Sequence, residues 1–340
     1  MSTEGSDCMH FFVTGHTGFK GAWLTLLLRE LGHSVSGYAL TPAKGSLFEL
    51  AELESELKEH TIADIRDQTA LRDAIASAKP DVAIHLAAQP LVLRSYEDPV
   101  ETLTTNVDGT RNFLLAIREA PAPPTSLVVT TDKVYRDDGK GSYKESDPLG
   151  GHDPYSASKA MADIMTQSWA ATHPELRLFT ARAGNVIGAF DVSENRLIPD
   201  AVRAFKSNTR LAVRNPSAVR PWQHVLDCLN GYLMFIAKSN TAPKVLNFGP
   251  SPNSFQTVQS VVDQIGLVLP GMDFEINSLS NTPVETSLLT LDSSFAQSSL
   301  NWKNKLDFKE SLAWSLAELT QGSTPAREIV TRQIREFINR

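Results

Sequence analysis

A chain of 340 residues, 41% hydrophobic and 21% charged, has the composition of an ordinary folded protein and can bury roughly 75% of its unfolded surface. Its net charge of −7 leaves no basic stripe to displace counterions from nucleic acid, and no apolar run approaches the roughly 18 residues of a membrane span. Two cysteines, Cys8 and Cys228, make no disulfide framework, and no charged-then-apolar leader opens the chain, so a cytoplasmic globular protein is expected.

The first element is an apolar stretch from Met9 to Thr14, read as a strand. It runs into Val-Thr-Gly-His-Thr-Gly-Phe-Lys-Gly (13–21), which sets Gly15, Gly18 and Gly21 three residues apart. Trp23, Leu24, Leu27, Leu28 and Leu31 follow at helical spacing, stopped by Gly32. A strand, a glycine turn and a helix N-terminus make a pyrophosphate site: backbone reaches the phosphates without Cβ clashes, and the helix dipole favours the negative charge. His16, Thr17, Phe19 and Lys20 lie on the same loop, and His16 and Lys20 are expected to border phosphate or ribose.

Next come a strand over His33–Leu40, a helix over Ser46–Lys58, a short strand over Glu59–Ile62 leading to Asp64, and a helix over Asp67–Ala78. Pro80-Asp81 opens a strand over Val82–Leu86. A long helix runs from Pro99 to about Ala120, and Leu127–Thr131 reads as a buried strand. Asp153–Ala171 is helical and Leu176–Ala183 is a sixth strand. Strands alternating with helices imply βαβ units, a parallel sheet and right-handed crossovers. Beyond about Gly184 the pattern becomes irregular, with helices over Ile198–Lys206 and His224–Ala237. That change suggests a smaller lobe at the sheet's C-terminal edge, where such folds place ligands. The expected division is residues 1–183 for the dinucleotide-binding domain and 184–340 mainly for the substrate lobe, with some chain returning.

Two groups of residues carry chemistry. Tyr155 and Lys159 lie four apart on one helix, so they share a face. A lysine ammonium beside a phenol lowers the phenol's pKa from about 10 and suits it to proton abstraction. Thr131-Asp132-Lys133 ends the preceding strand: the threonine can bond a reacting hydroxyl, and acid and base stand side by side. A polar strand-to-loop turn is the simpler reading of that triplet by itself.

Taken together, these segments resemble the extended short-chain dehydrogenase/reductases that act on nucleotide sugars, and most closely the CDP-glucose 4,6-dehydratases. The match runs from about residue 9 to 250. It includes His-Leu-Ala-Ala-Gln-Pro-Leu-Val (85–92), Thr-Thr-Asp-Lys-Val-Tyr (130–135), Ala-Arg-Ala-Gly-Asn-Val-Ile-Gly (181–188) and Arg-Pro-Trp-Gln-His-Val (220–225). The resemblance implies a Rossmann-type doubly wound α/β fold with a smaller mixed C-terminal lobe. It also implies NAD, a nucleotide-diphosphosugar substrate and a homodimer or homotetramer. Asp64 would meet the adenine amino group, or else cap the helix after Arg66. Ile65, Ala87, Ala88 and Asn106 complete the cofactor shell, Asn106 with a helix-capping alternative. Asn185, Arg196 and Arg220 would grip the diphosphate, with Gln89 and Arg94 on the substrate side. His85 is read as a packing residue. His224, at a helix start, has a structural reading and is also placed on the substrate side. No spacing reads as a metal site.

By that resemblance Tyr155, with Thr131 and Lys159, oxidises the sugar at C4, Lys133 removes the C5 proton and Asp132 protonates the departing C6 hydroxyl. A 4-epimerase, or a dehydratase for another nucleotide, is the same-class alternative; epimerisation needs only Tyr155 and Lys159. A silent dinucleotide-binding regulator is the alternative of another class, against which the retained Tyr155 and Lys159 argue. The chain departs from the family twice. Ala189-Phe190-Asp191-Val192 stands where Gly-Gly-Asp-Trp is usual, and Leu40-Thr41 stands where an NAD-selective acid would end the second strand. Phe113, Leu114, Met161, Met165 and Trp169 are expected to form the apolar faces through which subunits pair.

Overall fold

A computed structural model describes residues 8–276 and 289–340. Seven strands form one sheet: β1 (His10–Thr14), β2 (Ser34–Ala39), β3 (Glu59–Ile62), β4 (Val82–His85), β5 (Thr125–Thr131), β6 (Leu178–Ala183) and β7 (Val245–Phe248). Their spatial order is β7-β6-β5-β4-β1-β2-β3, and every pairing is parallel. The order reverses between β1 and β4, which opens a crevice at their C-terminal ends. This is the parallel sheet expected from the strand-helix alternation, in the doubly wound, Rossmann-type form that the resemblance implies.

Alternate strand residues feed opposite faces. Phe11 and Val13 join Leu24, Leu28, Leu229 and Ile329 on one side, packed by α1 (Phe19–Glu30), α5 (Val225–Ala237) and α6 (Ala326–Ile338). Phe12 joins Leu71, Ile75, Phe113, Leu114 and Ile117 on the other, beneath α2 (Gln68–Ala78), α3 (Gly109–Glu119) and α4 (Pro154–Thr172). A separate core of Ile198, Val202, Leu211, Trp222, Ile265 and Leu312 builds the lobe beyond β6. β7 and α5 return to the sheet, so the later half of the chain contributes to both bodies.

Four features depart from the sequence expectation. The helix expected over Ser46–Lys58 is two short pieces, Leu47–Leu50 and Leu53–Glu56, because Glu52 turns left-handed at φ 52°. The long helix from Pro99 is interrupted at Thr104–Asp108 by a π turn. A further short helix, Val92–Glu97, precedes it. Finally, Phe113 and Leu114 are wholly buried against the sheet and Met165 and Trp169 pack partly against the same core, so of the expected pairing face Met161 is the large exposed residue.

Gly231 lets α5 lie close against the sheet edge. A Cβ there would lie 2.5 Å from Phe248 Cδ1 and 3.0 Å from Trp302 Nε1, both side chains locked in the core. Gly231→Ala gains up to about 1 kcal/mol of helix propensity yet overpacks this contact by roughly 1–3 kcal/mol. The expected outcome is a net loss of stability in urea unfolding; an unchanged midpoint would mean that the contact has slack.

Candidate active site

The glycine loop closes around its own backbone. Gly15, at φ +75°, donates its N–H to the Tyr38 carbonyl at 2.8 Å, and a Cβ on it would come within 2.8 Å of the Ala87 nitrogen. A Cβ on Gly21 would stand 2.2 Å from the Gly15 carbonyl oxygen. Gly18 is the N-cap of α1, and a Cβ on it would stand 3.3 Å from the Gly15 carbonyl oxygen. Two close backbone approaches and a free helix N-terminus are what a pyrophosphate requires, so these residues fit a dinucleotide. Thr17 Oγ1 donates to the Leu40 carbonyl at 2.9 Å, tying the loop to the end of β2. His16 is enclosed, with Nε2 2.9 Å from His60 Nδ1 and its ring edge-on to Phe48; burial and the His60 imidazole bring it down to about 3. It is a neutral packing group below the loop. Phe19 packs against the core, and Lys20 Nζ lies 3.4 Å from the Tyr232 hydroxyl of α5.

Asp64 accepts a forked pair from Arg66, at 2.6 Å and 3.0 Å, and this holds its carboxyl below the usual range. The helix cap considered for it belongs to Asp67, whose side chain accepts from the Ala70 nitrogen. Ile65 is buried in the second core. Ala87 and Ala88 follow β4; the Ala87 N–H donates to Thr14 Oγ1 at 3.3 Å, and Thr14 Oγ1 in turn meets His85 Nδ1 at 2.8 Å. His85 is sealed, and burial brings it down to about 3, so it braces the two strand ends as a neutral ring.

The reaction-type residues converge on the end of β5. Asp153 caps α4 by accepting from the Ser156 nitrogen at 2.9 Å and so places Tyr155 in the first turn. The Tyr155 phenol is beside the Thr131 hydroxyl. Burial pushes the phenol up to about 12, with Thr131 opposing. Lys159 Nζ donates to the Val129 carbonyl at 2.9 Å, and burial brings it down to about 8. The expectation that the lysine lowers the phenol is therefore not met in this geometry: the ammonium is seated on the strand. Thr131 Oγ1 donates to Asp132 Oδ1 at 2.8 Å, and Lys133 Nζ lies 3.4 Å from the same oxygen. Asp132 is buried while Lys133 is partly open, an acid beneath a base.

Asn106 sits inside the π turn. Its Oδ1 accepts from the Gln89 nitrogen at 2.8 Å and its Nδ2 donates to Ser158 Oγ at 2.9 Å, next to Lys159. It links the loop after β4 to the helix of the reaction pair, and it is not a cap. Three residues expected at the substrate are otherwise engaged. Gln89 is buried and its amide is held by Thr102 and Leu91. Arg94 is clamped by Glu101 at 2.7 Å and 2.8 Å. His224 is buried edge-on between Trp23 and Trp314 and accepts from the Leu226 nitrogen, the structural reading. Asn185 is exposed just past β6. Arg196 lies 3.8 Å from Asp191 and acts on the Tyr155 phenol. Arg220 donates to the Val219 carbonyl on a strand paired with Phe255–Thr257. Sequence reasoning missed Asp163 and Arg182, buried beneath the site. The continued spacing of four from Tyr155 to Lys159 to Asp163 was the available signal.

Among the described residues no cluster of His, Cys, Asp and Glu could hold a metal, and no helix is long and apolar enough to cross a membrane.

The profile of a family described as GDP-mannose 4,6 dehydratase matches residues 12–314. The chain is 41% identical over 316 residues to a CDP-glucose 4,6-dehydratase from Salmonella typhimurium, covering 88% of each chain. It is 27% identical over 332 residues to a dTDP-glucose 4,6-dehydratase from Xanthomonas campestris pv. campestris, covering 91% of this chain and 94% of that one. Among solved structures, a dTDP-glucose 4,6-dehydratase from Streptomyces venezuelae, crystallised with NAD and TYD, superposes with a TM-score of 0.82 at 24% identity, covering 92% and 98% of the two chains. A UDP-glucose 4-epimerase from Bifidobacterium longum, with NAD and UDP, gives 0.81 at 21% identity over the same shares.

If the glycine cradle holds a pyrophosphate, Gly21→Ala must force it open, because the added carbon meets backbone on two sides. Titration with NAD followed by fluorescence or calorimetry is expected to give at least a tenfold weaker affinity, about 1.4 kcal/mol. Equal affinity in a folded variant would put the dinucleotide elsewhere.

Proposed function

Because this chain belongs to the GDP-mannose 4,6-dehydratase family, we propose that it is an NAD-dependent nucleotide-diphosphosugar 4,6-dehydratase acting on CDP-glucose. The observation that carries the reading is the set of groups at the end of β5: Thr131 beside Tyr155, and Asp132 within 3.4 Å of Lys133. An epimerase needs only Tyr155 with Lys159. Elimination of water needs an acid and a base as well.

Gly15, Gly18 and Gly21 would hold the pyrophosphate, and Asp64 and Ile65 would border the adenine. When bound, NAD supplies a reversible hydride acceptor for the sugar, oxidising C4 and later reducing C6. The chain's own residues handle the protons. Tyr155 takes the proton of the C4 hydroxyl as the phenolate, its own proton having first been released to solvent against the burial that holds it on, and Thr131 holds that oxygen. With C4 a ketone, the C5 proton becomes acidic; Lys133 removes it while Asp132 protonates the C6 hydroxyl, which leaves as water. For this step Asp132 must hold the proton and Lys133 must be the free amine, a distribution that passing one proton from Lys133 to Asp132 would provide. Lys133 then returns a proton to C5. Arg196 and Arg220 offer guanidinium forks for the diphosphate. CDP is favoured by the identity to the Salmonella enzyme, whereas the unusual Ala189–Val192 loop favours testing other nucleotides.

We also place the enzyme in the cytoplasm, on its two free cysteines, and expect a dimer or a dimer of dimers. Tyr96, Val100, Met161 and Ile164 are 41–67% exposed on Val92–Glu97, Pro99–Leu103 and α4, three helices that lie together.

Incubation with NAD and CDP-, UDP-, dTDP- and GDP-hexoses tests the reaction: loss of water by mass spectrometry is expected with CDP-glucose. Inversion at C4 without loss of water would make it an epimerase, and no change with any sugar would favour a binding role. Asp132→Asn should slow dehydration by about 10²–10⁴-fold while the 4-keto sugar and nicotinamide absorbance near that of the reduced cofactor build up, since an amide cannot donate a proton as an acid does. Dehydration at the unmutated rate would remove Asp132 as the acid. For assembly, light scattering at micromolar concentration should report at least a dimer, and Ile164→Lys should release monomer; a monomeric unmodified protein would refute the pairing.

A further inference from the structure

A second buried polar cluster lies beneath the site, centred on Asp163 of α4 and Arg182 of β6, whose side chains are 0% and 1% exposed. Arg182 forks onto the carboxylate, Nη2 to Oδ1 at 2.8 Å and Nε to Oδ2 at 2.9 Å. Thr130 Oγ1 donates to Oδ2 at 2.8 Å and Gln167 Nε2 to Oδ1 at 2.6 Å. Behind Arg182, its Nη1 donates to the Tyr135 hydroxyl at 2.7 Å, which donates to Asn247 Oδ1 at the same distance. The carboxylate is therefore fixed by four hydrogen bonds from three residues.

Its place on the helix is what matters. Asp163 stands one turn after Lys159 and two after Tyr155, on the same face. Lys159 docks on the carbonyl of Val129 and Asp163 on the hydroxyl of Thr130, adjacent residues of β5. The titratable groups around Lys159 are Asp163 on its own helix, Lys20 on α1 and the neutral His85 on β4, with Tyr155 one turn before. Burial is the main influence drawing Lys159 toward the neutral amine, and Lys20 acts in the same sense; Asp163 opposes both.

We propose that Asp163, braced by Arg182 and Thr130, is a positioning residue of the reaction pair: its carboxylate is the counter-charge that keeps Lys159 an ammonium on the Val129 carbonyl, one turn from Tyr155. The inference rests on reading Tyr155 and Lys159 as the pair that works on the sugar, but it concerns the charge of Lys159 and can be measured without turnover. It also assigns the buried guanidinium of Arg182 a role, that of holding the carboxylate in place.

The test is the titration of Lys159 followed by NMR of ¹³Cε-labelled lysine in the full chain, its signal assigned by loss in Lys159→Met. Asp163→Asn strands a buried guanidinium and can fail to fold, so Asp163→Asn/Arg182→Gln, which removes both charges, is the decisive variant. In it Lys159 is expected to lose its proton at a pH lower by about 1 or more, and the alkaline limb of kcat/KM should move down with it. Asp163→Glu, which keeps the negative charge, should leave Lys159 close to its original titration. Arg182→Lys, which keeps a charged pair, should leave Lys159 close to its original titration. A double variant whose Lys159 titrates as in the unmodified protein would overturn the proposal and leave Asp163 a packing residue. If instead the unmodified protein removes water from no nucleotide sugar, the dehydratase reading fails while the titration still decides the role of Asp163.

Discussion

Helix α4 is set on strand β5 by three polar contacts, and the site depends on that seating. Thr131 meets Tyr155, the Val129 carbonyl receives Lys159, and Thr130 bonds Asp163. Three consecutive strand residues are thus matched to side chains four apart on the helix. A strand advances about 3.3 Å per residue and a helix turn about 5.4 Å, so such a match holds only for one crossing of the two elements. Slide the helix by a residue and all three contacts are lost together. Apolar packing supplies most of the attraction between these layers, but it tolerates small displacements. The polar contacts do not, because each leaves a buried donor or acceptor unmade when it breaks.

The Asp163–Arg182 pair extends this logic. Replacing a buried ion pair by well-packed apolar side chains is often neutral or stabilising, whereas removing one partner is strongly destabilising. Stability alone therefore gives little reason to place two charges between α4 and β6. Geometry gives a better one: the fork from Arg182 fixes both the position and the orientation of the helix face that carries Lys159. Asn106 does similar work from the opposite side, tying Gln89 and Ser158 together across the π turn. The turn's extra residue is what brings the asparagine inward, and such turns gather at functional sites.

Much of this was legible in the residues. The strand, glycine loop and first helix are found where their spacing put them, since three glycines, an apolar strand and an amphipathic helix are all local signals. Tyr155, Lys159 and the Thr131–Lys133 triplet were legible for the same reason. What could not be read depended on partners distant in the chain. Gln89, Arg94 and His224 carry the right chemistry for a substrate, but Thr102, Glu101 and the two tryptophans at positions 23 and 314 occupy them. Phe113 and Leu114 have helical spacing that fits a subunit interface as well as a core; only the position of the sheet decides between them. The helix expected over Ser46–Lys58 broke at Glu52, a residue with ordinary helix propensity, so nothing local announced the left-handed turn.

The departure at Ala189–Val192 gains a physical meaning from the backbone. Phe190 adopts φ 62°, a conformation that glycine takes without strain and a bulky side chain adopts only when its surroundings insist. The insistence is visible: the Phe190 N–H donates to Glu318 Oε1 at 2.9 Å, Glu318 is itself paired with Lys206, and the ring is buried in the first core. The aromatic ring takes up apolar contacts in the first core that glycine lacks. A conformation usually secured by the absence of a side chain is secured here by a carboxylate on the C-terminal part of the chain. The next residue, Asp191, faces Arg196, and Arg196 acts on the Tyr155 phenol. Phe190 therefore joins Glu318 of the C-terminal segment to the loop whose next residue, Asp191, faces Arg196.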